Sequence, residues 1–341
     1  MTWLETSTGH PRAADKMARR WLDVRKSMEA VQALAGAEVS LGRVQRARTL
    51  VDSVRAIDPE WPGLDMTSAQ VALAAGDVPA AVVALKKATR AKIPAVRLGA
   101  MQALGFSVYP YEGRYRDALA IADSAIARVS SHGDTSAIAP IILQRAFVQY
   151  WQTQDPEAVA RAAREVMRMP DANLEAETWQ MLAAAWCVAG DSTRANAVWD
   201  EHCGNASRQQ RTMYRIIVLA TNGRCAEAAS QIEQVAGTAG WPEAGMRVAT
   251  GFCQIKEGNF SGVVVLLESV VKKTPIAFAN AGVIPIAYYL PGKAYEGLGR
   301  TADATRAYEA MLTLWKDGDQ EPPLRVDAEG RLHRLREIES M

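Results

Sequence analysis

The sequence has few histidines and no clustered cysteines. Its 341 residues include four of each, and none shows the spacing of a zinc site or of a redox-active cysteine pair. His202 and Cys203 are neighbours in the chain, so on a helix they point in different directions and suit neither a catalytic dyad nor a shared metal. We therefore expect no metal and no cofactor, and four reduced, mostly buried thiols.

An excess of charge and a long apolar run are also absent. The 39 Lys and Arg residues nearly balance the 38 Asp and Glu residues, so no bulk attraction to nucleic acid or to an anionic membrane is expected. No stretch approaches the roughly 18 apolar residues of a spanning helix, and the first residues do not resemble a signal peptide. The sequence predicts a soluble, cytoplasmic chain without membrane insertion, which could be the soluble part of a larger protein.

Sequence motifs of common active sites are missing as well. There is no G-x-x-x-x-G-K-[ST] loop and no G-x-G-x-x-G after a strand. The G-x-S-x-G elbow and the metal-binding motifs of kinases do not occur either. We therefore predict that the chain is not an enzyme.

Glycine instead recurs in one local context. Each of seven glycines follows an apolar helical stretch and precedes a second stretch with a small residue five positions on. The glycines are Gly42, Gly76, Gly113, Gly190, Gly223, Gly258 and Gly299, and the small residues are Ala47, Ala81, Ala118, Ala195, Ala228, Val263 and Ala304. The interval from Gly113 to Gly190 has the length of two repeats, and Asp155-Pro156 supplies the missing turn. Two short helices and two turns use roughly 34 residues, so eight helix pairs are predicted. Glycine would end each first helix in a left-handed conformation.

These units resemble the tetratricopeptide repeat (TPR) family, whose pattern is W-x2-L-G-x2-Y, then G, then A-x3-F/Y. The best match reads Trp179, Leu182, Ala183, Trp186, Gly190, Ala195 and Trp199. Three units depart from the pattern. Leu104-Gly105 comes one residue early in the third, and the seventh has Val263 where the pattern has alanine. In the eighth, Pro285 and Pro291 should delay or kink the first helix. The resemblance implies an all-α fold, a right-handed α-solenoid of about eight TPR-like helix pairs with terminal capping helices.

The ends of the array divide the chain into three parts. Residues 1–24 are predicted to hold an N-terminal capping helix with Met17, Trp21 and Val24 on one face, and residues 25–316 the repeat array. Residues 317–341 form a polar loop and a C-terminal capping helix. Leu324, Ala328, Leu332, Leu335 and Ile338 lie on one face of that helix. Such caps cover the apolar ends of a solenoid.

The resemblance places a partner-binding groove on the inner face, which the first helices line. The residues predicted to bind a partner there are Leu143, Phe147, Tyr150, Met213, Ile217, Val248, Phe252, Tyr289 and Lys293. Apolar and aromatic side chains suit a peptide or helix of a protein partner. The lysines and asparagines with which some family members hold an acidic C-terminus are not matched. The alternative, that a tight superhelix fills its own inner side with these residues, stays open.

The last unit carries a second resemblance. Tyr308, Leu312, Leu314 and Trp315, followed by an acidic-proline loop and a leucine-rich helix, are similar to the end of the TPR regions of bacterial serine/threonine kinases and winged-helix regulators. This implies a protein-interaction scaffold that serves as the regulatory or sensory part of a bacterial signalling protein.

Three basic clusters leave open a function other than protein binding. They begin at Arg19, Arg43 and Lys86 on predicted outer helices. A solvated face is the ordinary explanation of such clusters, and no specific nucleic-acid partner is predicted. The alternative function is a binding module for nucleic acid or a small ligand.

Overall fold

The computed structural model describes residues 11–24, 27–131, 135–170, 174–235, 243–273, 276–278 and 280–339, and this part of the chain contains helices and no strand. The helices are α1 (Pro11–Val24), α2 (Met28–Ser40), α3 (Val44–Ile57), α4 (Leu64–Ala74), α5 (Val78–Ala88), α6 (Pro94–Gln102), α7 (Tyr115–Ser130), α8 (Thr135–Thr153), α9 (Pro156–Val166), α10 (Ala176–Val188), α11 (Ser192–His202), α12 (Arg208–Thr221), α13 (Cys225–Val235), α14 (Glu243–Glu257), α15 (Phe260–Lys273), α16 (Ile284–Gly297), α17 (Thr301–Leu314) and α18 (Pro323–Glu339). Helices α2 to α17 follow one another in the order of the eight predicted pairs, with α1 before them and α18 after them.

The chain forms two compact units. The first contains Met1–Val108, Ala236–Glu243 and Thr274–Ala281, and the second contains Tyr109–Val235, Ala244–Lys273 and Gly282–Met341. Pairs one and two therefore belong to the first unit. Pairs four, five, six and eight, and most of pair seven, belong to the second.

The seven glycines confirm the repeat. All seven have a positive φ, between 69° and 82°, and all seven small residues that follow them are fully buried. At the turn of pair five, Gly190 donates its N–H to the Cys187 carbonyl at 3.0 Å, and Asp191 donates to the Trp186 carbonyl at 2.9 Å. These bonds satisfy the last carbonyls of the helix, and the Asp191 side chain then caps the next helix by accepting from the Arg194 N–H.

Pair four makes the same turn without glycine. Gln154 is the one non-glycine residue of the described chain with a positive φ, 57°. The Asp155 side chain accepts the Glu157 N–H at 3.0 Å, and Pro156 begins helix α9. The prediction that Asp155-Pro156 makes this turn therefore located it correctly but missed Gln154, which takes the left-handed position.

Replacing Gln154 with glycine is expected to raise the free energy of unfolding by about 0.5–1 kcal/mol. Glycine removes the roughly 1–2 kcal/mol cost of a left-handed side-chain-bearing residue but adds entropy to the unfolded chain. Urea denaturation measures the change. The reverse substitution, Gly190→Gln, is the control, because the Cβ position of Gly190 is open and only backbone conformation should count. A loss of stability in both variants would contradict the prediction.

A π-helical segment explains the irregular third pair. Ala103–Val108 follows α6 and leads into an α-helical turn, Tyr109–Tyr111. A π turn contains one more residue than an α turn. The extra residue lets Leu104 and Gly105, which come one position early in the sequence, still lie buried.

The eighth pair accommodates both of its prolines. A short 3-10 turn, Ala281–Val283, precedes α16, and Pro285 stands in the first turn of the helix, where its missing N–H is not needed. The predicted delay is thus seen at Pro285, whereas the helix continues through Pro291. Gly292 allows the Tyr308 ring to approach, since a Cβ there would lie 2.6 Å from it.

The two terminal helices pack only partly as predicted. Helix α1 buries Ala14 and Ala18, whereas the predicted Met17 is half-buried and Trp21 is 39% exposed. The side chain of Val24 lies outside the described residues. Helix α18 buries its four predicted apolar residues up to Leu335, but Ile338 is 56% exposed. The packing prediction was wrong for Ile338, because the helix extends beyond the pair it covers.

Buried Glu38 ties the first cap to pair one. Its carboxylate accepts a hydrogen bond from Arg19 of α1 and pairs with Arg43 at 3.5 Å. A carboxylate needs such partners when it is buried.

A closure loop, residues 315–321, joins the end of the second unit to its beginning. Trp315 is fully buried against Gly113 and meets Tyr115 edge-on, with ring centroids 5.6 Å apart. The Asp319 N–H donates to the Gly113 carbonyl at 3.0 Å. Buried Arg325 fixes the loop by donating to the Trp315 carbonyl at 2.5 Å. The turn of pair three and the end of pair eight therefore pack against each other.

Candidate interaction surface

Three of the predicted partner-binding residues belong to the core. Leu143, Val248 and Tyr289 are buried, and Tyr289 also donates its hydroxyl to Asp327 of α18 at 2.6 Å. Burial, followed by this hydrogen bond, raises the pKa of Tyr289. These three side chains pack in the core beneath the first helices and are not accessible to a partner.

The other six are half-buried: Phe147, Tyr150, Met213, Ile217, Phe252 and Lys293. Among them, Phe147 and Tyr150 on α8 and Ile217 on α12 pack against one and the same buried cluster. Burial raises the pKa of Tyr150. Phe252 and Lys293 lie further along the chain, on α14 and α16. Lys293 extends over the Tyr289 ring, with its Nζ 5.6 Å from the ring centroid.

Helix α10, between α8 and α12, contributes two residues that were not among those predicted from the sequence. Met181 and Val188 are half-buried and pack against the same cluster. They are seven residues apart, so they lie on one helix face, and that spacing was the available signal. We call Phe147, Tyr150, Met181, Val188 and Ile217 the groove face. It spans the first helices of pairs four, five and six, all in the second unit.

Beneath the groove face, aromatic side chains pack closely and the Cys187 thiol is buried. The Trp199 and Tyr214 rings stack 4.0 Å apart, and the Tyr214 hydroxyl donates to Asn196 at 2.9 Å. Burial raises the pKa of the Cys187 thiol to about 12, which keeps it protonated at neutral pH. The arrangement can hold half-exposed side chains in fixed positions, and it offers no activated nucleophile at Cys187.

The prediction of four reduced cysteines was wrong for one pair. Cys225 at the start of α13 and Cys253 in α14 form a disulfide, with Cα atoms 5.5 Å apart, while Cys187 and Cys203 are free and buried. The two bonded residues are 28 apart in sequence and match no short motif. Their approach depends on how pairs six and seven stack.

The basic clusters are partly neutralised. Arg19 and Arg43 share Glu38, and Lys87 pairs with Asp65 at 3.3 Å. On α1, however, the exposed side chains of Arg12, Lys16 and Arg20 recur every fourth residue. No ion pair to these three is found in the described part of the chain.

Taken together, the helix pairs and their turns define an all-α solenoid of TPR-like units. No known protein family profile matches the sequence, and no curated protein matches it. Among solved structures, the chain is similar to a human IFIT1 dimer with m7Gppp-AAAA (14% identity, 94% of this chain and 74% of that one, TM-score 0.51). It is also similar to a tetratricopeptide repeat protein from Parabacteroides merdae (15% identity, 80% and 98%, TM-score 0.43) and to yeast Tom70 (11% identity, 95% and 81%, TM-score 0.40). At these identities a likeness concerns the fold alone. Within the described ranges, no helix is long and apolar enough to cross a membrane.

Proposed function

We propose that the chain is a protein-interaction scaffold that binds a peptide or helix of a partner on its groove face. One observation carries the proposal: three successive first helices present half-buried apolar side chains that rest on a single core cluster. Residues 25–316 would form the interaction array, with the flanks as its caps. The similarity of the last unit to bacterial signalling proteins supports a regulatory role in such a system.

The groove face has the properties of a binding site in physical terms. Its side chains are held by the core on one side, so little conformational entropy remains to be lost when a partner covers the other. Covering their remaining apolar surface contributes about 25 cal/mol for each Å² removed from water. Aromatic residues and methionine provide contact area and adaptability.

Site-specific photocrosslinking tests the proposal. A photoreactive phenylalanine analogue in place of Ile217 is expected to form a covalent adduct with a partner in cells that produce the protein. The same analogue in place of Val265, which is 76% exposed on second helix α15, serves as the control and is expected to form none. Adducts at Val265 but not at Ile217 would disprove a groove-face scaffold.

The basic stripe of α1 supports a second candidate function, binding of nucleic acid. Arg12, Lys16 and Arg20 form an exposed stripe without ion pairs within the described chain, and the similar human IFIT1 dimer was solved with the capped oligonucleotide m7Gppp-AAAA. Phosphate contacts make binding fall steeply with salt. If this candidate holds, RNA affinity drops with salt and is lost when all three residues become glutamate, while Ile217 substitutions have no effect.

The disulfide bears on the cellular location. A buried disulfide persists in oxidising compartments and is rare in the cytosol. We therefore propose an oxidising compartment in place of the cytoplasm expected from the sequence.

A further inference from the structure

We infer that the partner segment is apolar and uncharged where it meets the groove face. This inference rests on the proposed function and adds the chemistry of the occupant. It follows from where the charged residues of the three groove-face helices lie.

Helices α8 and α12 direct their charges away from the groove face. The one charged residue of α8 is Arg145, which donates to Asp123 of α7 at 2.5 Å. Successive helical residues are about 100° apart, so Arg145 lies on nearly the opposite side from Phe147. On α12, Arg208, Arg211 and Arg215 are about 120–180° from Ile217, and all three are exposed.

Helix α10 has a single charged residue, Glu177. It is exposed and precedes Met181 by one helical turn, so it borders the groove face at one end. A negatively charged partner would meet this carboxylate, while the arginines of α8 and α12 lie on other sides of their helices.

Apart from Glu177 at its end, the groove face offers no charged side chain with which a partner could form an ion pair. The exposed parts of Phe147, Tyr150, Met181, Val188 and Ile217 are apolar apart from the Tyr150 hydroxyl. A charged partner side chain that was covered here would lose hydration without an ion pair, which is costly. An apolar segment loses nothing comparable and gains from burial. The surface thus favours an uncharged apolar occupant and disfavours an acidic one.

Three fluorescent helical peptides test the inference. They share one frame, with leucines at positions i, i+3, i+4 and i+7 on a glutamine background and blocked ends, and are flanked by glutamine, glutamate or lysine. Fluorescence anisotropy with the full chain should show binding of the neutral peptide that changes by less than about twofold between low and high salt. The glutamate-flanked peptide should bind about tenfold more weakly because its charges are desolvated next to Glu177.

The Glu177→Gln variant provides a matched control. It is expected to strengthen binding of the acidic peptide and to leave the neutral peptide unchanged. Tighter binding of the acidic or the lysine-flanked peptide than of the neutral one would overturn the inference, as would no binding of the neutral peptide.

The failure of the inference and of the proposed function can be told apart with Phe147→Ala and Ile217→Ser, used once circular dichroism shows that they fold. If a charged peptide binds most tightly and its binding is lost in both variants, the groove-face scaffold stands. Only the inference that the partner segment is apolar and uncharged is then refuted. Binding of every peptide that survives both substitutions would refute the scaffold itself.

Discussion

Replacing Trp315 with alanine is expected to lower the free energy of unfolding by about 3–5 kcal/mol, the usual range for a buried tryptophan. The side chain is fully buried between the last helix pair and the turn of pair three. Its loss leaves a cavity at the place where the second unit closes on itself. Urea denaturation of the full chain measures the change, and hydrogen exchange at the Asp319 amide should become faster, since this amide bonds to the Gly113 carbonyl.

Alanine substitutions at two glycines distinguish the contact with Trp315 from the general cost of a side chain at a left-handed turn position. Gly113 and Gly299 have φ values of 70° and 69°, so alanine is equally strained at both. A Cβ at Gly113 would lie 2.7 Å from the Trp315 ring, whereas nothing lies within 4 Å at Gly299. Gly113→Ala is therefore expected to cost about 1–3 kcal/mol more than Gly299→Ala, the typical effect of overpacking. Equal losses at the two positions would mean that Trp315 is not held against this turn.

Local patterns allowed most of the fold to be predicted from the sequence. Gly190 and Ala195 mark a turn and a close helix contact within one repeat, and each can be recognised within about ten residues. Leu143 and Phe147 look alike in sequence, because both are apolar residues on one helix face. The structure buries the first and half-exposes the second. The choice depends on how α8 packs against its neighbours, which a single repeat does not reveal.

Contacts between distant repeats could not be predicted. Gly113 and Asp319 come into contact because small rotations between successive helix pairs add up over several repeats. No short sequence motif indicates the total rotation. The Cys225–Cys253 disulfide has the same origin, since it depends on the stacking of pairs six and seven. Gln154 shows a different limit: the turn was evident from Asp155-Pro156, but a glutamine gives no sign of a left-handed conformation.

Removing the Cys225–Cys253 disulfide is the second change with a large expected effect. The double variant Cys225→Ser, Cys253→Ser should lower the free energy of unfolding by roughly 3.5 kcal/mol, the loop-closure entropy of a loop of this length. A reducing agent should destabilise the wild-type chain by a similar amount and leave the double variant unchanged. Thermal unfolding with and without a dithiol measures both. Cys187→Ser is the control, because it removes a buried thiol that forms no bridge and should leave the response to the dithiol intact.

The disulfide is expected to be particularly important for the stability of pair seven, because the first helix of this pair buries polar side chains. Helix α14 buries Arg247, Thr250 and Gln254 on one face, where apolar side chains would pack in a regular repeat. Arg247 donates to the Leu266 carbonyl of α15 at 3.2 Å, but in the described part of the chain the Thr250 hydroxyl and the Gln254 carbonyl oxygen have no partner. Such groups weaken packing, so the covalent link from α13 should hold α14 in place. In the reduced protein, hydrogen exchange is expected to rise first along α14, and exchange that rises uniformly would contradict this role.

The state of this disulfide distinguishes an oxidising compartment from the cytoplasm. Protein taken from its native cells, with thiols alkylated before denaturation and again after it, should show two modified cysteines, Cys187 and Cys203, when the disulfide is intact. Both are buried and should react only in the second step. Modification of all four cysteines would place the chain in a reducing compartment, and stability there would have to come from packing alone. Because the bonded pair is buried, a dithiol reaches it only after α13 and α14 separate, so reduction in the folded state should be slow.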